Sequence, residues 1–293
     1  MTEIHYAPAE PARGLLALTG EDRAKFLQGL VSNDVRLLSD TRAIWAALLT
    51  AQGKYLHDFF VAASGDAWLI DGEGDRIADL KRRLGLYKLR AKIALDDVSD
   101  HYEVFHAWGA GAAAAFGLAE PGQATTRDGT TIFVDPRLGA LGLRVIAPKG
   151  EAAKLFAGFT PALAAEWDRL RLGLGVPDGS RDMVLEKAIL LENGFDELNG
   201  VAWDKGCYIG QELTARTKYR GLVKKRLMPI AVDGPLPAPG TLILSGGQEA
   251  GEIRSGQGDM ALALVRLEAL ESGAPLTAGD ATIRPQRPDW AKF

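Results

Sequence analysis

The chain changes character near residue 221, and that change limits its architecture more than any other feature. Before it, short apolar runs alternate with helical ones. Beyond it, Pro229, Pro235, Pro237, Pro239 and a series of glycines cut the sequence into short pieces: RLMPIAV, TLILS, AGEIRS, ALALVRL and ATIRP. Proline lacks an amide donor and glycine takes conformations other residues avoid, so both mark turns rather than element interiors. Strands this short bury a core only by closing on one another. An all-β terminal domain, a small barrel, is therefore predicted over 223–293, with residues 1–222 as the other domain of this 293-residue chain.

The first part reads as α+β on a mostly antiparallel sheet. GLLAL (14–18) is a buried strand, and Thr19 is placed to cap a helix whose face carries Phe26, Leu27 and Leu30. AIWAALLT (43–50) and YLHDFFVAA (55–63) flank the turn AQGK as a hairpin, and AWLID (67–71) adds a strand. Alternation along YLHDFFVAA turns Asp58 towards solvent, although an Asp in a cleft is also a candidate base. Ile77, Leu80 and Leu84 repeat at helical spacing. KIALDDV, YEVFHAW, TTIFVDP and LGLRVIAP read as strands, and 110–116, 149–157 and 162–172 as helices.

Composition excludes several classes. The net charge of −4 argues against bulk nucleic-acid binding. No apolar run approaches the ~18 residues of a membrane span. One cysteine rules out an internal disulfide and fits a reducing compartment. The polar N-terminus MTEIHYAPAEPARG has neither an apolar core nor an Arg-rich amphipathic pattern, so the expected location is cytoplasmic.

That cysteine, Cys207, lies in DKGCYIGQELTARTKYRG, Asp204 to Gly221. Gly206 and Gly210 bracket it, allowing a tight turn or close approach of a ligand. Lys205, Arg216, Lys218, Arg220, Lys224, Lys225 and Arg226 outnumber Asp204 and Glu212 around it, in a chain that is acidic overall. Cationic surroundings favour the thiolate, and a helix over 209–217 would set Cys207 just before its positive end. One thiol cannot assemble a four-ligand zinc site, and His5, His57, His101 and His106 are remote in sequence. Trp45, Trp203 and Tyr208 offer flat faces to a heteroaromatic ligand.

KGCYIGQELTART with its trailing KYRG resembles the signature of the YgfZ family, relatives of the glycine-cleavage T-protein, a tetrahydrofolate-dependent aminomethyltransferase. The form is nearest the mitochondrial-type branch. FLQGLVSNDV (26–35), LLTAQGKYLHDFFV (48–61), RLRLGLGVPDGSRD (169–182) and AGEIRSGQGDMALALVRLE (250–268) extend the resemblance over most of the chain. It implies a GcvT-like cloverleaf of two interleaved α+β lobes with a C-terminal β-barrel. It also implies a monomeric factor for assembly or repair of [4Fe–4S] clusters, including those of enzymes that modify tRNA. Its partners would be iron–sulfur assembly proteins or recipient enzymes, with tetrahydrofolate as cofactor and an iron–sulfur cluster held transiently.

By the motif, Cys207 is the working thiolate or cluster ligand, assisted by Lys205. Gly206, Tyr208, Gly210, Gln211 and Glu212 shape the loop, Arg216, Lys218 and Arg220 form a basic patch, and Asp58 and Trp203 are cofactor-side candidates. Two positions depart from the T-protein. Gly173 replaces an acidic pterin-binding residue, and His57-Asp58 replaces an Asp pair. The rival readings are a folate-dependent aminomethyltransferase and a non-catalytic RNA- or protein-binding module.

Overall fold

The computed structural model describes residues 3–293, which divide into two compact units. The first comprises the chain through Leu48, His57–Trp167 and Asn199–Ile209; the second comprises Leu49–Leu56, Asp168–Leu198 and Gly210–Phe293. No single cut at residue 222 separates them, because two earlier segments join the barrel's unit.

The first unit holds two sheets. In one, the strand order is Thr160–Pro161, His5–Pro8, Tyr102–Trp108, Leu143–Pro148, Thr130–Val134, Ala124–Arg127. In the other it is Ile44–Leu49, Tyr55–Ser64, Ala67–Glu73, Arg13–Thr19, Ala94–Asp97. The chain enters the six-stranded sheet, leaves to build the other and returns, so the lobes are interleaved. Phe116, Ile132, Val145 and Phe156 pack the core of the six-stranded sheet. Asp71, fully buried, pairs with Arg13 at 2.7 Å and with Arg144 of the other sheet at 2.6 Å. The Arg144 guanidinium also lies 3.9 Å from the Phe60 ring centroid.

Three local expectations fail. Residues 110–116 yield only a 3-10 turn, Ala114–Phe116, because Gly109 and Gly111 take φ of +109° and +95° and break the helical path. Thr19 ends a strand instead of capping; the helix Arg23–Gln28 follows Asp22, whose carboxylate accepts from the Lys92 amide. Asp58 is buried, since eight consecutive residues of Tyr55–Ser64 are buried and nothing alternates to solvent.

In the second unit six strands close a barrel in the order Lys225–Asp233, Met260–Arg266, Gln248–Gln257, Leu242–Ser245, Leu276–Ala278, Ala281–Pro285. Met228, Ile230, Ile243, Ile253, Val265 and Ile283 fill it. Gly246 and Gly247, both at positive φ, make the hairpin turn between Leu242–Ser245 and Gln248–Gln257. The strand Leu276–Ala278 and the helix Leu267–Glu271 were not foreseen. Beside the barrel, the helix Ala164–Leu174 supplies Arg171, fully buried, which donates to Asp182 (2.7 Å), Asp168 (2.9 Å), Ser255 Oγ (2.9 Å) and the Val176 carbonyl (2.8 Å). A guanidinium so bonded has its desolvation offset, so the RLRLGLGVPDGSRD stretch acts as a strut onto the barrel strand carrying Ser255.

Candidate functional site

Cys207 is exposed in an irregular loop, and its neighbours on either side are fixed. Lys205 is buried, and its ammonium donates to the carbonyls of Gln28 (2.8 Å), Val31 (2.6 Å) and Asn33 (2.6 Å). Three donors meet three acceptors, which leaves none for the thiol. The expectation that Lys205 assists Cys207 directly is corrected on this geometry: Lys205 ties the loop to the polar turn 28–34. Burial pulls its pKa down to about 8, against the opposing charge of Asp34. The ammonium also lies 5.0 Å from the ring centroid of Tyr208, itself buried.

More bonds hold the same segment. Ser32 Oγ donates to the Gly200 carbonyl at 2.6 Å, and Asn33 donates to the carbonyls of Trp45 and Asn199, both at 2.8 Å. The Asn199 side chain donates to the Pro136 carbonyl at 3.1 Å, and the Ile209 amide to Gly29 at 3.2 Å. The chain from Asn199 to Ile209 thus lies pinned on the SND turn, with Gly206 and Cys207 facing solvent between anchors. Ser32, Asn33 and Asn199 were missed as site-builders. Their signal was two polar clusters, SND and ELNG, distant in sequence and silent about pairing.

The helix after the thiol is Gln211–Tyr219, so Cys207 stands four positions ahead of it and not at its end. Gly210, at φ +81°, turns the chain into that helix. Its close approach is to the backbone of Thr50 and Gly53, not to a ligand. Gly206 has open space where a side chain would go.

The basic patch is largely neutralised. Glu212, exposed, pairs with Arg216; Asp196 pairs with Lys218 at 3.0 Å; Glu197 pairs with Arg226 at 3.0 Å; Glu249 approaches Lys225 at 3.7 Å. Counting charge along the segment included Glu212 but could not show Asp196, Glu197 and Glu249 arriving from elsewhere. Arg220 and Lys224 remain exposed and without an ion pair among the described residues.

Asp58 accepts from the Trp45 indole at 2.9 Å. It therefore holds a buried tryptophan and is neither a surface residue nor a base in an open cleft. His57 lies 2.9 Å from Asp79, with its pKa lowered to about 4 by burial and then by the charge of Arg76. Trp203 is half-buried in the pinned segment. Among the described residues no three side chains converge as a metal-binding group. Cys207 is thus an exposed thiol on a loop anchored on both sides.

The family model described as "CAF17, C-terminal beta-barrel domain" matches residues 224–293. The chain is 31% identical to the mouse "Iron-sulfur cluster assembly factor IBA57, mitochondrial", the match covering 95% of this chain and 83% of that one. The human protein of the same name is 32% identical, again over 95% and 83%. Among solved structures, the aminomethyltransferase T of the glycine cleavage system from Bartonella henselae superposes with a TM-score of 0.78 at 14% identity, covering 99% of this chain and 86% of that chain. At that identity the likeness shows the fold alone. The mitochondrial relatives overturn the cytoplasmic expectation, because a lone free thiol fits any reducing compartment and composition does not tell one from another. The chain belongs to the IBA57 family of iron–sulfur cluster assembly factors, built on the aminomethyltransferase T fold.

Proposed function

We propose that this protein assembles or repairs [4Fe–4S] clusters through Cys207, the exposed thiol on the loop anchored by Lys205 and Tyr208. The observation that carries this reading is the placement of the chain's one cysteine: open to solvent beside Gly206, while Lys205 and Tyr208 on either side are buried. Clusters of this kind take cysteine thiolates as ligands, commonly four. One sulfur supplies one ligand, so the cluster is shared cargo and the other ligands come from an assembly protein or a recipient enzyme. Gly206 leaves space for such a body to approach.

Tetrahydrofolate fits poorly. Gly173 occupies the position of the acid expected to hold the pterin, and a side chain there would first meet the Met260 thioether at 3.4 Å. Gly173, exposed here, offers no side-chain acceptor at that position, so the hydrogen bond expected to hold a pterin is missing. Aminomethyl transfer, which needs the folate, is disfavoured on the same ground.

The test replaces the native protein in cells by Cys207→Ser and Cys207→Ala. Activity of [4Fe–4S] enzymes is expected to fall severalfold while [2Fe–2S] enzymes hold. Full [4Fe–4S] activity at wild-type protein levels would remove the thiol from the mechanism.

A further inference from the structure

The helix Ile77–Gly85 runs out into consecutive exposed residues, Gly85 to Arg90. Three are large and apolar: Leu86 is 65% exposed, Tyr87 45% and Leu89 89%, the last being the most exposed large hydrophobic among the described residues. The backbone adds to the anomaly. Ala91 N–H closes a turn on the Lys88 carbonyl at 2.8 Å, and Leu89 inside it has φ +41°. Positive φ in a turn is the place of Gly, Asn or Asp, and a leucine there is strained. On a surface that meets only water, a polar residue or glycine would serve better for both side chain and backbone.

The charge is one-sided. Lys81, Arg82, Arg83, Lys88, Arg90 and Lys92 fall within 81–92 with no acid among them, in a chain that is −4 overall. Asp79 holds Arg82 and Arg83, and Glu21 holds Lys92. Lys88 and Arg90, on either side of Leu89, carry no ion pair among the described residues.

We propose that the tip Leu86–Arg90 docks a protein partner that presents an apolar hollow rimmed by carboxylates. Leu89 fills the hollow, and Lys88 and Arg90 pair with the rim. The flanking cations set register and speed encounter, while the desolvated leucine supplies the hold. A lipid surface suits the tip less well, since Leu86 and Leu89 together carry fewer apolar carbons than one myristoyl chain, itself a marginal anchor. Nucleic acid suits it less again, because bases stack on aromatic faces and the tip offers only a half-exposed Tyr87. The proposal rests on reading the chain as a factor that works with other proteins, and it describes how one of them is held.

The experiment places photoreactive benzoylphenylalanine at position 89 of the full chain in cells, with exposed position 66 as control. A crosslink from 89 to an acidic segment of another protein is expected. That protein, purified, should bind the wild-type chain in a salt-sensitive way. Leu89→Gly should weaken binding at least about tenfold with the thermal midpoint unchanged or raised, because glycine relaxes the turn. The pair Lys88→Glu and Arg90→Glu should do the same. Unchanged affinity of Leu89→Gly, equal labelling at 66 and 89, or crosslinks only to RNA or to another copy of this chain would overturn the proposal. So would phosphatidylserine-rich vesicles that bind the wild type and release Leu89→Gly. A failed tip with Cys207→Ser still lowering [4Fe–4S] enzyme activity severalfold sinks only the docking site. An intact tip with Cys207→Ser fully active sinks only the thiol mechanism.

Discussion

Gly53 and Gly210 meet backbone to backbone: a Cβ on Gly210 would stand 2.9 Å from the Gly53 Cα and 2.6 Å from the Thr50 carbonyl oxygen. A Cβ on Gly53 would stand 2.7 Å from the Leu213 Cβ, and both glycines have positive φ. Gly210→Ala is expected to cost roughly 2–4 kcal/mol, combining left-handed strain with a clash against backbone. Because the two sites touch, the double variant with Gly53→Ala should depart from additivity by about 0.5 kcal/mol or more. Urea unfolding of the three variants measures this, and strict additivity would show that the contact is not shared.

Lys205→Met is expected to destabilise by about 3 kcal/mol, since the buried carbonyls of Val31 and Asn33 and the part-buried one of Gln28 lose their donor. Hydrogen exchange should rise first in 26–35 and 199–209. A variant as stable and as protected as wild type would show that the ammonium is not the tie.

Asp182→Asn keeps the shape and removes the charge opposite Arg171, whose side chain is fully buried. Leaving that cation under-compensated should cost about 3–5 kcal/mol. Chemical denaturation reads it, and a loss under about 1 kcal/mol would mean that Asp168 alone suffices.

Stability should fall as pH drops from 6.5 towards 4, because His57 titrates near 4 in the folded chain and at about 6.5 when unfolded. In that window the unfolded state binds the extra proton, so acid favours unfolding, by roughly 3 kcal/mol for His57. His106, buried and stacked 3.5 Å from the Trp167 ring, is also pushed well below the usual range by burial and acts in the same direction. His57→Asn should flatten part of the slope in unfolding measured across this range, and His57→Asn with His106→Asn should flatten more. An unchanged slope in the double variant would place the acid sensitivity elsewhere.

Cys207→Ser should leave unfolding free energy within about 0.5 kcal/mol of wild type, as expected for an exposed side chain away from caps and cores. Functional loss in that variant then reports chemistry and not folding.

The barrel was legible because Pro235, Pro237, Pro239 and the paired Gly246 and Gly247 punctuate it, and turn residues act locally; Pro229, by contrast, lies inside the strand Lys225–Asp233. The strand Leu276–Ala278 was not, being too short for a period to show. The thiol was legible as the one cysteine in a glycine-bracketed motif. The role of Lys205 was not: its neighbour in sequence is Cys207, but its hydrogen-bond partners lie about 170 residues away, at Gln28, Val31 and Asn33. For the same reason the acids that neutralise Lys218 and Arg226 were invisible, since Asp196 and Glu197 lie outside the counted segment. Asp58 misled because alternation holds only for strands with one wet face.

The anchoring of residues 199–209 has a consequence for binding kinetics and entropy. A sulfur carried on a floppy arm must surrender rotational and backbone freedom each time it is captured. Here the backbone on either side is already tied down, at Lys205 and Ile209, so under the proposed role capture of Cys207 would order little more than its own side chain, and departure would require no rearrangement of the surrounding scaffold.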